Sequence, residues 1–196
     1  DGHKEMIPIP EIKALYKSFG GLVALKDITF NIDRGEIIGL IGPNGAGKMT
    51  LFNCVAGIEK PTAGQIIFTS RDRTISIGGK KPEAVTGLGI ARTFQNIRLF
   101  DNLTVIDNVK IGRHCRTKSL FFGAVVRNKF QQAEEKAITE SAHQFLEFVG
   151  LKGRGQEIAR SMAYGDQRRL EIARALATEP QLLMLDEPAA GMNPQE

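Results

Sequence analysis

Residues 42–48, Gly-Pro-Asn-Gly-Ala-Gly-Lys, constrain this chain more than any other stretch. The compact run 36–41 before them is apolar on both faces, which predicts a central parallel strand. Residues 48–56 after them read as a helix. Glycines at 42, 45 and 47 allow a backbone that turns successive N–H groups inward, and the helix N-terminus adds its partial positive charge. A lysine at the end of such a loop completes a cradle for a phosphate chain. A glycine turn without a ligand is the other reading of these seven residues, and the order strand, loop, helix argues against it. The predicted contacts are Gly42, Pro43, Asn44, Gly45, Ala46, Gly47 and Lys48, with Met49 and Thr50 opening the helix.

Met49 departs from the pattern, which expects Ser or Thr after the lysine to ligate Mg²⁺ through a hydroxyl. A thioether is a soft ligand and Mg²⁺ prefers hard oxygen. Three readings stand: weakened Mg²⁺ binding, compensation by water or Thr50, or a variant residue in this chain. Phosphate binding is expected to survive and metal-dependent turnover to suffer.

A second element is Leu182-Leu183-Met184-Leu185-Asp186-Glu187, a buried strand that ends in two carboxylates. Ligands bind at such carboxyl ends in open α/β sheets. Asp186 is the candidate Mg²⁺ ligand, and Glu187 the candidate that polarises a water against the terminal phosphate. Alone, a strand ending in Asp-Glu is commonplace; it gains weight from the loop upstream. The third element runs from Tyr164-Gly165-Asp166 into Gln167-Arg168-Arg169-Leu170-Glu171. Taken alone it is a glycine turn feeding an amphipathic helix with solvated arginines.

The remaining pattern is that of a folded α/β chain. Forty-two per cent apolar and 24% charged residues suffice for a core and a solvated surface. A net charge of +4 suits an anionic ligand or membrane surface without requiring either. Cys54 and Cys115 lie far apart and outside any CxxC pattern, which argues against a disulfide framework or zinc site and suits a reducing compartment. The run 120–126 is far short of the roughly 18 residues a spanning helix needs. The N-terminus lacks a signal-peptide stretch, and a soluble intracellular chain is expected.

Short strands are predicted at 9–15, 25–32, 65–68, 90–94 and 181–185. Residues 17–21 and 61–64 read as turns, and 71–81 as a loop. Apolar residues at 133, 137, 138, 142, 145, 146 and 149 form a helical stripe ended by Gly150, and a further helix is predicted at 167–177.

The three elements together resemble the ATP-binding subunits of ABC transporters. Met162-Ala163-Tyr164-Gly165-Asp166 stands where the family signature Leu-Ser-Gly-Gly-Gln occurs, without its hydroxyl and first glycine. Residues 89–95 (Gly-Ile-Ala-Arg-Thr-Phe-Gln), 163–171 and 186–194 are most similar to the branched-chain amino-acid importer subgroup. The resemblance covers nearly all of the chain after residue 9. It implies a P-loop ATPase core with an N-terminal antiparallel β subdomain and an inserted helical subdomain. The expected division is 1–95 for the β subdomain and P-loop core, 96–177 for the helical subdomain with the signature, and 178–196 for the return to the core.

The resemblance also implies ATP and Mg²⁺ as cofactors. It places Phe19 on the adenine ring, with Val23 beside it. Gln95 senses the γ-phosphate and Mg²⁺, and Tyr164, Gly165 and Asp166 meet phosphate from an opposing subunit. Residues 96–109, from Asn96 to Val109, then border the groove for integral-membrane permease subunits. A periplasmic binding protein acts indirectly, and nucleic acid is not a partner. The subunit is expected on the cytoplasmic face of the inner membrane, in a head-to-tail homo- or heterodimer that closes on ATP. Asn193 stands where most of the family has aspartate.

His3, His114 and His143 all precede Asp186, whereas the family carries a later histidine near the γ-phosphate. The expectation is therefore a fragment of a longer subunit, which intact-mass analysis or the source gene tests. Two other functions stay open: a subunit of another ABC transporter, such as a lipopolysaccharide exporter, and a form that binds nucleotide but hydrolyses it poorly.

Overall fold

The computed structural model describes residues 9–70, 73–113 and 129–190. The expectations for residues 120–126, Cys115, His3, His114 and Asn193 lie outside the described residues. The chain divides into two compact units, Asp1–Ile90 and Ala91–Glu196.

The first unit is built on a four-stranded sheet of order β2-β1-β3-β4, from β1 (Pro10–Phe19), β2 (Leu22–Asn31), β3 (Ala63–Ser70) and β4 (Arg73–Ser76). All three pairings are antiparallel. Two of the three register shifts between β1 and β2 set the inward faces. In β1 the buried positions are Pro10 and Ile12, then Leu15 and Lys17, so the parity switches between residues 12 and 15. The register slips there, with Ala14 at φ 46. The opposite slip in β2, with Asp27 at φ 52, buries Leu25 while Ile28 and Phe30 stay half-buried. An extra residue in one strand flips every later side chain to the other face. These bulges let an imperfect alternation make one continuous core of Ile12, Leu15, Leu25, Ile66, Phe68 and Ile77.

Helix α1 (Lys48–Val55) adds Leu51, Cys54 and Val55 to the buried set, and α2 (Pro82–Leu88) adds Val85. Burial pushes the Cys54 thiol up, against the lowering effect of the Lys17 ammonium. The turn read at 17–21 shrinks to Gly20-Gly21, because Phe19 pairs with Leu22. Ala63 and Gly64 belong to β3 rather than to a turn, and β4 lies in the stretch read as a loop. Residues 36–41 form no strand: Ile37 is 98% and Ile41 94% exposed. A parallel strand needs hydrogen-bonding neighbours. The sheets pair β1–β4 with one another and Ile90–Arg92 with Leu182–Met184, leaving this run no partner among the described residues.

The second unit packs three helices, α3 (Val105–Arg113), α4 (Lys129–Phe148) and α5 (Tyr164–Leu176), beside the strand pair β5 (Ile90–Arg92) and β6 (Leu182–Met184). Its core joins Val105, Ile106 and Val109 to Ala142, Leu146, Leu151, Leu170 and Ala173. The predicted stripe on α4 packs from Ile138 onward, while Ala133 and Ala137 are exposed. Gly150, at φ 79, ends the helix in a Schellman arrangement: Leu151 N–H donates to Leu146 O (2.7 Å) and Gly150 N–H to Glu147 O (3.0 Å). Helix α3 begins with a reciprocal cap, Asp107 N–H to Thr104 Oγ1 (3.2 Å) and Thr104 Oγ1 to Asp107 Oδ2 (2.5 Å).

Gly112 lets α3 approach α5 closely. A Cβ there would lie 2.3 Å from Arg174 O and 3.2 Å from Ala177 Cβ. Alanine gains about 1 kcal/mol of helix propensity over glycine. A backbone clash of this kind costs about 1–3 kcal/mol, so the clash dominates. Gly112→Ala is expected to lower the urea midpoint of unfolding; an unchanged or higher midpoint contradicts the close crossing.

Candidate functional site

In the first unit the loop 42–47 leads into α1, whose N-cap is Gly47 at φ 87, with Gly45 at φ 83. No side chain caps this helix and its first turn holds no acid, so neither a capping group nor a first-turn carboxylate competes with an anion for its amide donors. Gly47 is required on two grounds: its left-handed φ, and a space so tight that a Cβ would meet Ala24 O at 2.4 Å and Leu25 Cδ2 at 3.0 Å. Strand β2 thus lies directly against the loop. Lys48 Nζ donates to the carbonyls of Gly42 and Pro43, the latter at 2.9 Å. Ala46 N–H donates to Pro43 O (3.2 Å). Pro43, Asn44, Gly45 and Met49 are exposed, and Thr50 is half-buried.

The β1–β2 hairpin carries Phe19 and Val23, both about half exposed, on adjacent rungs where Phe19 faces Leu22 and Val23 faces Ser18. The Lys17 ammonium lies 4.5 Å from the Phe19 ring centroid. It is also fixed by Lys60 O (2.9 Å) and Glu59 (3.0 Å).

In the second unit Asp186 follows β6 and pairs with Arg92 of β5, NH2 to Oδ2 3.3 Å, with both side chains largely buried. Asp186 N–H donates to Thr93 Oγ1 (3.1 Å), and Thr93 N–H to Met184 O (3.0 Å). Glu187 is exposed and sits at φ 45, a conformation that costs a side-chain-bearing residue roughly 1–2 kcal/mol. Gln95 is exposed too, on the loop after β5.

Tyr164, Gly165 and Asp166 form the first turn of α5, after the extended N-cap Ala163, so the helix starts three residues before the predicted Gln167. The Asp166 carboxylate accepts from Arg154 NH1 (2.6 Å) and from Arg169 NH1 (3.5 Å). Hydrogen bonds to Glu157 and Asp166 hold the Arg154 guanidinium above its usual range, and Arg154 in turn holds the Glu157 carboxyl below its own.

The residues fit ATP phosphates through the glycine loop, the uncapped α1 terminus and Lys48. In the second unit Asp186 and Gln95 carry hard oxygens of the kind Mg²⁺ prefers, whereas Met49 in the first unit carries only sulfur. A cation held by Asp186 would share that carboxylate with Arg92 or displace it. Sequence reasoning missed Arg92, and read Arg168 as solvated. Arg168 and Glu171 are instead almost fully buried, and no helical period distinguishes a buried arginine from a solvated one.

Residues 25–190 match the ABC transporter family model. The chain belongs to the ABC transporter family. It is 44% identical, over 190 residues, to the high-affinity branched-chain amino acid transport ATP-binding protein LivG of Salmonella typhimurium, covering 96% of this chain and 72% of that protein. A solved ATP-binding cassette of an ABC transporter in its ADP conformation superposes with a TM-score of 0.78 at 32% identity, covering 96% of this chain and 72% of that one. A dimeric bacterial ABC transporter cassette gives 0.77 at 25%, covering 95% and 77%. The chain has the ABC ATPase fold and is of an ATP-hydrolysing family. No helix among the described residues is long and apolar enough to cross a membrane.

Gly47→Ala is expected to weaken ATP binding by more than about tenfold, because a clash costing about 1–3 kcal/mol adds to the left-handed strain. Isothermal titration checks this, and undiminished affinity contradicts the packing of β2 on the loop.

Proposed function

We propose that this chain is an ATP-binding and ATP-hydrolysing subunit that powers an importer of branched-chain amino acids. The observation that carries the chemistry is the loop 42–48, which combines left-handed glycines, a helix N-terminus without a side-chain cap and Lys48 within seven residues, the chemistry an anion-binding loop needs. The name of the Salmonella relative supports the cargo class.

In this reading residues 42–50 bind the phosphates of ATP, and Lys48 exchanges its contacts with Gly42 and Pro43 for the β- and γ-phosphates. Phe19 and Val23 offer an exposed apolar edge to adenine. Mg²⁺ held by Asp186 and Gln95 supplies neutralisation of charge on the phosphates. Glu187 orients a water and accepts its proton as the water oxygen bonds to the γ-phosphorus and the bond to the bridging β–γ oxygen breaks, releasing phosphate and ADP. Its exposed, left-handed position suits a residue presented to a reacting group rather than packed.

Two such subunits are proposed to pack head to tail, Tyr164, Gly165 and Asp166 of one completing the ATP site of the other. The likeness to a dimeric cassette supports this arrangement. ATP binding then shifts the pair to its closed state. Permease subunits dock along residues 96–109 of the helical subdomain, 96–177. A periplasmic binding protein acts through the permeases, and the subunit lies on the cytoplasmic face of the inner membrane.

Met49 favours a second reading, ATP binding with weakened hydrolysis. ATP binding and Mg²⁺-dependent phosphate release are to be measured separately in the native chain and in Met49→Thr. Both are expected to bind ATP, with release at least about tenfold faster in Met49→Thr. Equal release rates overturn the weakening by Met49, and failure of both to bind ATP overturns the whole assignment. In the Met49→Thr background, Glu187→Gln is expected to slow release by about 100-fold or more while leaving ATP affinity intact. A loss of affinity instead of turnover removes Glu187 from the proton-transfer role.

A further inference from the structure

Helix α5 carries a buried ion pair that the roles above do not use. Arg168 and Glu171 are each 2% exposed, and Arg168 NH1 lies 3.1 Å from Glu171 Oε2. The pair is aimed outward from its own helix, at the backbone of the loop that bears Gln95. Arg168 NH1 donates to Phe94 O (2.6 Å) and NH2 donates to Gln95 O. Glu171 Oε1 accepts from Phe94 N–H (3.3 Å) and Arg98 N–H (3.4 Å). One turn back, the Tyr164 ring lies 5.8 Å from the Arg168 guanidinium carbon. The peptide groups around Gln95 are thus held from beneath while its side chain stays exposed.

We propose that Arg168 and Glu171 act as a clamp that positions Gln95 and ties its loop to the start of α5. Two observations support a positioning role over simple packing. Burying two charges on one helix turn is expensive, and an apolar pair of similar volume often serves stability as well or better. A planar, multiply donating guanidinium is also suited to bridging two successive carbonyls and a carboxylate at once, a spread of acceptors that the single donor atom of a lysine matches less well. The clamp makes the position of Gln95 depend on the position of α5, so a shift of Tyr164, Gly165 and Asp166 is passed to the loop through the peptide groups of residues 94–98. The inference rests on the proposed role of Gln95 in ATP hydrolysis.

The test uses Arg168→Lys, and Arg168→Met combined with Glu171→Leu, which removes both charges of the pair together. Hydrogen exchange over residues 92–100 reads the clamp directly and needs no turnover. Exchange at Phe94 and Arg98 is expected to speed up at least about tenfold in the double variant, and less in Arg168→Lys. Unchanged exchange overturns the clamp. Phosphate release, measured in the Met49→Thr background, is expected to fall about tenfold or more in the double variant, with ATP affinity retained. The same double substitution placed on Gln95→Ala is expected to cause no further fall. An equal further fall shows a general structural effect and overturns the positioning role. Gln95→Ala that leaves release unchanged overturns the assumed role of Gln95, and the positioning role with it, while faster exchange in the double variant still identifies the clamp.

Discussion

Desolvation of the Arg168 guanidinium is the constraint on which the second unit depends. A buried charge needs polar partners, and α5 offers this one a single hydrogen-bonding group, Glu171, besides the ring of Tyr164. The remaining partners are backbone carbonyls, and these fix where the chain runs after β5. From there Arg92 reaches Asp186, so two arginines join the strand end, the Gln95 loop and the signature helix, regions up to about 90 residues apart in sequence. The apolar cluster of α3, α4 and α5 supplies the rigidity against which these polar contacts are held. Hydrophobic burial brings the helices together, but it has no directional preference. The charge contacts choose one arrangement among the many that would bury similar area.

In the first unit the organising constraint is steric. The carbonyl of Ala24 leaves no room for a side chain at residue 47, and the same glycine must adopt a conformation disfavoured for any other residue. Two requirements at one position explain why the loop cannot drift in sequence from the strand beside it. The compensating bulges of β1 and β2 serve the same end, since without them Leu25 would turn away from the core.

Much of this was legible in the chain. The helix at 48–55, the helix ended by Gly150 and the apolar strand before Asp186 each carry a strong local signal: periodicity, a left-handed glycine, or a short apolar run. Three kinds of feature were not. Ala14 and Asp27 sit in bulges, where the partner strand sets the register. Helices α2 and α3 are short and polar enough that neither shows a clear stripe, although Pro82, Gly89 and the Thr104–Asp107 cap mark their ends. The run 36–41 has the composition of a central strand, but composition does not supply the neighbours that a strand needs. At the site, the glycine loop and the two carboxylates were evident, whereas the burial of Arg168 and the partnership of Arg92 depend on contacts between distant segments.

The self-bonded lysine of the loop has a thermodynamic consequence. Lys48 already has carbonyl acceptors in Gly42 and Pro43, so an incoming anion is credited only with the improvement over those contacts. In the proposed binding role, a single phosphate would offer little improvement, while a chain of phosphates would replace both acceptors and also engage the amides of α1. Such an exchange discriminates by the number of charges a ligand presents along its length. In the role proposed for it, the loop thereby favours a long polyanion over a small one, with the acceptors Lys48 already holds setting the threshold.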